Sequence, residues 1–116
     1  MYGIAEIDSQ ALEPQLRADP GRYRLVDVRG PAEWPQGIIE GAELLPLHLL
    51  PLRAAEWHGD PRPILFYCRS GARSAQACAW MMAQGHAAVL NLRGGLLDWA
   101  RQGLPLARPE AARAAG

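Results

Sequence analysis

Four consecutive apolar residues, Ile64-Leu65-Phe66-Tyr67, constrain the fold more than any other feature of the chain. They lie between the turn sequence Asp60-Pro61-Arg62-Pro63 and a polar loop that starts at Cys68. A run this short with no polar face is expected of a central strand covered on both sides. Helices must then lie above and below it. Residues 73–84 carry Ala77, Trp80, Met81 and Gln84 at helical spacing, with Gly85 as the C-terminal cap.

The rest of the chain repeats this alternation. Residues 3–7 read as a first strand, and Asp8 or Ser9 caps a helix over 10–18. Pro14 lies about one turn in, so the start of that helix is expected to be irregular or shifted toward Glu13. Residues 24–28 read as a buried strand, 42–45 as a short third strand and 88–92 as a fifth. Pro51 divides 46–56 into two short helical pieces. Gly94-Gly95 opens a last helix over 96–102, closed by Gly103 and Pro105. Residues 107–116, rich in Ala and Arg and without apolar periodicity, read as a frayed or disordered tail. The result is an α/β domain over residues 1–106 with a mainly parallel five-stranded sheet and helices on both faces.

Composition narrows the chemistry. With 116 residues there is room for one core and one active site. Twelve basic and twelve acidic side chains cancel without forming a block of like charge, which gives no reason to expect nucleic acid or a membrane as partner. All the basic residues are Arg, which removes Schiff-base lysine chemistry. Residues 1–12 hold neither a basic region nor a long apolar run, so the expected location is cytoplasmic, where thiols stay reduced. Cys68 and Cys78 lack CxxC spacing and a nearby histidine cluster, so no metal or other cofactor is expected. His48, His58 and His86 each lack a partner at catalytic spacing.

The two cysteines differ in setting. Cys78 falls on the Met81 and Ala75 side of its helix and reads as a packed core thiol. Cys68 stands where a buried strand ends and a helix begins, the crevice in which open α/β sheets collect ligands. Free amides at the helix start, the curl of Cys68-Arg69-Ser70-Gly71-Ala72-Arg73-Ser74 and the two arginines should all favour the thiolate. The same amides would cradle an anion, and Gly71 suits a curl that needs positive φ. A phosphatase-type loop places five residues between Cys and Arg. Here four residues separate Cys68 from Arg73, and Ser74 stands where that Arg would be, so the ring suits a single sulfur atom better than a phosphate.

These motifs together resemble the rhodanese family over nearly the whole chain. Val26-Asp27-Val28-Arg29, then Glu33-Trp34, Gly37, Ile39 and Gly41-Ala42 resemble its first signature. The segment from Cys68 to Ser74 resembles its active loop. Ser74-Ala75, Gly85, Val89, Leu92, Gly94-Gly95 and Trp99 resemble its closing pattern, in which the double glycine brings the last helix against that loop. The resemblance implies that Cys68 carries a persulfide and that the amides of Arg69, Ser70, Gly71, Ala72, Arg73 and Ser74 hold the outer sulfur. Arg73 would brace the loop, with Asp27 and Arg29 in support. It further implies sulfur transfer from a small donor such as thiosulfate to cyanide or a thiol, or alternatively a carrier module that takes a persulfide from a protein partner. Ile38 departs from the pattern, which usually has histidine there. Asp27, Arg29 and Glu33 also have a purely structural reading, as an ion-pair network that stiffens the loop.

Overall fold

A computed structural model describes residues 3–113. Five strands, β1 (Glu6–Ile7), β2 (Arg24–Asp27), β3 (Glu43–Leu44), β4 (Ile64–Tyr67) and β5 (Val89–Leu92), form one sheet in the order β1-β5-β4-β2-β3. Every pairing is parallel. The apolar run of β4 lies at the centre, with all four residues buried.

Strand side chains alternate between faces, and that alternation divides the core into two layers. Ile64 and Phe66 meet Ala77, Cys78 and Met81 of α3 (Ala72–Ala83), together with Leu50 of α2 (Leu50–Arg53) and Trp57. Leu65 and Tyr67 face the other way, onto Leu12 of α1 (Ser9–Ala18) and Leu96 and Trp99 of α4 (Gly95–Arg101). Phe66 is fully buried, and its truncation to Ala is expected to cost about 3–5 kcal/mol. Helices therefore cover both faces, as the sequence requires. Among the described residues no helix is long and apolar enough to cross a membrane.

Three details differ from expectation. Helix α1 is regular from Ser9, with the Asp8 carboxylate accepting the Ala11 amide at 2.8 Å. Pro14 is exposed, so the carbonyl it leaves without a donor opens to solvent and the helix continues. Pro51 opens α2 rather than breaking it, because its missing N–H falls in the first turn where no partner is needed. Short 3-10 turns at Leu47–Leu49 and Ala54–Trp57 flank α2, so the region holds three pieces instead of two.

The expected frayed tail is corrected over its described part. Ile38 and Ala107 exchange backbone hydrogen bonds at 2.9 and 2.8 Å, Gly41 N donates to Ala111 O, and Arg113 N donates to Ala42 O. The loop leading into β3 carries backbone groups that no strand satisfies, and residues 107–113 satisfy them. Residues 114–116 lie outside the described part. Ile38, the residue that replaces a histidine, is buried and tied to this segment by its main chain.

Candidate active site

All five strands run the same way, so Asp27, Tyr67 and Leu92 end at one edge of the sheet, and Cys68 leaves β4 there. The chain curls through Gly71, whose φ of 103° lies in the left-handed region, and enters α3. The helix start has no capping side chain of its own. Cys68 takes that place: its Sγ accepts from Gly71 N at 3.1 Å and Ser74 N at 3.4 Å, and Ser74 Oγ stands 3.4 Å away.

Cys68 is 1% exposed. Burial alone would push its thiol up; the Ser74 hydroxyl and the amides of Ser74, Gly71 and Ser70 outweigh it and hold the pKa below the usual cysteine value. Arg69, Ser70 and Ala72 are exposed around the mouth above it. Cys78 shows the opposite balance. Fully buried in the core, it is pushed up to about 12 by burial and, secondarily, by the Glu6 carboxylate.

The arginines part company. Arg73 directs both terminal nitrogens to the Glu33 carboxylate, at 2.7 and 2.8 Å, so its hydrogens brace the loop instead of solvating sulfur. Among the described residues Arg69 has no ion-pair partner. The expectation that both guanidinium groups favour the thiolate directly is corrected accordingly: amides and a hydroxyl do most of that work.

Behind Glu33 lies the pair Asp27 and Arg29, 0% and 2% exposed. Arg29 Nε and Nη2 both reach the Asp27 carboxylate, Nη2 also gives a hydrogen to Gly37 O at 2.7 Å, and Nη1 reaches Glu33 O at 3.3 Å. Burial opposes the charge of Arg29, and the Asp27 carboxylate more than restores it. None of the hydrogen bonds of either side chain among the described residues goes to Cys68. They fix the 33–37 segment, and Glu33 passes that order to Arg73.

The double glycine places α4 against the loop. Leu96 N and Leu97 N donate to Cys68 O and Arg69 O at 2.9 and 3.0 Å. A Cβ on Gly95 would lie 2.5 Å from Arg69 O, so only glycine permits this approach. A groove of about 440 Å³ lined by Leu16, Tyr23, Ile39, Trp99 and Pro105 includes no residue of the loop.

Sequence reasoning passed over Asn91, which is 2% exposed and bonds both Ser74 and Gly71. The available signal was an amide inside the otherwise apolar β5 sequence Val89-Leu90-Asn91-Leu92.

Residues 11–102 match the family model described as a rhodanese-like domain. The chain is 54% identical over 107 residues to a sulfurtransferase of Allochromatium vinosum, a match that covers 92% of this chain and 98% of that one. It is 39% identical over 91 residues to a probable adenylyltransferase/sulfurtransferase of Mycobacterium tuberculosis, covering 75% of this chain and 23% of that longer protein. Among solved structures, the rhodanese-like domain of an Anabaena protein superposes with a TM-score of 0.79 at 27% identity, over 98% of this chain and 87% of that one.

Proposed function

The chain belongs to the rhodanese-like domain family, and we propose that it is a sulfurtransferase in which Cys68 holds the transferred sulfur as a persulfide. The observation that supports this reading is the sulfur of Cys68 seated as the cap of α3, on the amides of Gly71 and Ser74. A thiolate held this way is a nucleophile that needs no general base.

The cycle is ping-pong. Cys68 thiolate attacks the outer sulfur of a donor such as thiosulfate; a new S–S bond forms, the donor's S–S bond breaks, and its electron pair leaves with sulfite. Cyanide or a thiolate then attacks the outer sulfur, the persulfide bond breaks, and the electron pair returns to Cys68. No outside oxidant or reductant enters. Arg69 at the mouth, without an ion-pair partner among the described residues, favours anionic donors, and the buried position of Cys68 favours a reactant that presents a single terminal atom. A cytoplasmic setting, which keeps thiols reduced, suits this chemistry.

Phosphoryl transfer fits less well, because the one arginine at the end of the loop is engaged by Glu33. A carrier role is the second reading, favoured by the match to a 23% segment of a longer adenylyltransferase/sulfurtransferase. There the donor would be a protein persulfide.

Steady-state assays with thiosulfate and cyanide, alongside an aryl phosphate, test the proposal. Thiocyanate formation lost in Cys68→Ala is expected. Phosphate release comparable to sulfur transfer would overturn it, and sulfur uptake from a protein persulfide alone would support the carrier reading instead.

A further inference from the structure

Asn91 shares its face of β5 with Val89, which belongs to the apolar layer under α3. A buried amide there is costly unless its hydrogen bonds are made, and both its hydrogens and its oxygen have partners. Nδ2 donates to Glu6 Oε2 at 2.9 Å and to Gly71 O at 3.2 Å. A carboxylate and a carbonyl only accept, so the amide is fixed with Oδ1 on the opposite side. Oδ1 there meets Ser74 Oγ at 2.5 Å, while the same Oγ stands 3.4 Å from Cys68 Sγ. The hydroxyl has one hydrogen and two acceptors. The closer one is Asn91.

We propose that Asn91 is a positioning residue: by competing at 2.5 Å for the single hydrogen of the Ser74 hydroxyl, it weakens the longer bond of that hydroxyl to Cys68 and leaves more of the sulfur's stabilisation to the loop amides. A thiolate with fewer donors keeps more intrinsic nucleophilicity, which falls as thiol pKa falls. Asn91 thus trades ionised fraction against reactivity. The inference rests on the reading of Cys68 as the reactive group, not on sulfur being what it carries.

Other charges surround the loop and must be held constant in any test. They are Arg73 with Glu33 on the α3 side, Arg69 on the loop, Glu6 with Arg93 behind Asn91, and Asp27 with Arg29 beyond β4. Replacing Asn91 by a neutral residue leaves all of them in place.

The test is the pH dependence of Cys68 alkylation by iodoacetamide, with the site read by peptide mass. In Asn91→Ala the freed hydroxyl donates to the thiolate, and the midpoint falls by about one pH unit, the size of one hydrogen bond to a charged group. In a Ser74→Ala background the same substitution leaves the midpoint where Ser74→Ala puts it. A midpoint in Asn91→Ala that rises or stays unchanged overturns the proposal, as does an equal shift with and without Ser74. Asn91→Leu, similar in volume and without an acceptor, gives the same readout if the alanine variant does not fold. Were thiosulfate transfer absent while these midpoints moved as described, the sulfurtransferase reading would fall and this one would stand.

Discussion

Arg73 and Glu33, forty positions apart, meet through two hydrogen bonds of 2.7 and 2.8 Å and join the loop that follows β2 to the start of α3. Glu33 also accepts from Gly30 N at 3.1 Å, so one carboxylate ties its own loop and the neighbouring one together. Glu33→Gln keeps the shape and removes the charge. Sulfur transfer in this variant is expected to fall by about tenfold in kcat/KM, the equivalent of losing one charge-assisted pair. Unchanged kinetics would show that the loop holds its curl without Arg73.

The same pair gives a pH signature. Hydrogen bonding by Arg73 outweighs burial and holds the Glu33 carboxyl at about 2, against an ordinary 4.5. A depressed carboxylate contributes stability in full above its unfolded value, and that contribution is lost as pH falls from about 4.5 through about 2. Urea midpoints of the wild type and Glu33→Gln should differ at pH 7 and converge across that acid window. Asp60, also depressed by its arginine partners, titrates in both proteins and cancels from the comparison. Arg73 is 38% exposed, so added salt should narrow the gap at pH 7.

Gly95→Ala tests the approach of α4. The new Cβ would lie 2.5 Å from Arg69 O and 2.6 Å from Cys68 O, on a backbone with φ of 59°. Loop and helix must separate, with an expected stability loss of about 2–4 kcal/mol and a larger proportional loss of sulfur transfer than of folded protein. Thermal melts and assays on the same samples give both numbers. A variant that folds and transfers sulfur normally would show that the contact is dispensable.

Cys78→Ser separates the two cysteines. Cys78 is 0% exposed in the layer between α3 and the sheet, so a hydroxyl there is expected to cost about 1–3 kcal/mol in denaturant unfolding. Activity per folded molecule should stay at the wild-type level. A specific loss of turnover at full stability would make Cys78 part of the chemistry.

Much of this site was legible in the sequence. The β4 strand appears at the residues its apolar run marks, because four adjacent apolar side chains can be buried on both faces only at a sheet centre. Cys68 follows directly, since the strand end and the helix start fix the crevice. Local spacing could not show that Glu33 neutralises Arg73, and counting arginines near Cys68 therefore overstated their direct effect on the sulfur. Asn91 and its partner Glu6 lie 85 positions apart and meet only because β1 joins the sheet beside β5. Residues 107–113 are held by main-chain bonds to 38–42, and backbone pairing of that kind leaves no mark in side-chain periodicity. Ile38 fits there for the same reason.

The central claim is that Cys68 receives sulfur, and intact mass after incubation with thiosulfate tests it most directly. Expected is a gain of one sulfur atom, removed by cyanide, mapped to Cys68 and absent in Cys68→Ser. No gain in mass, or a gain that maps to Cys78, would contradict it.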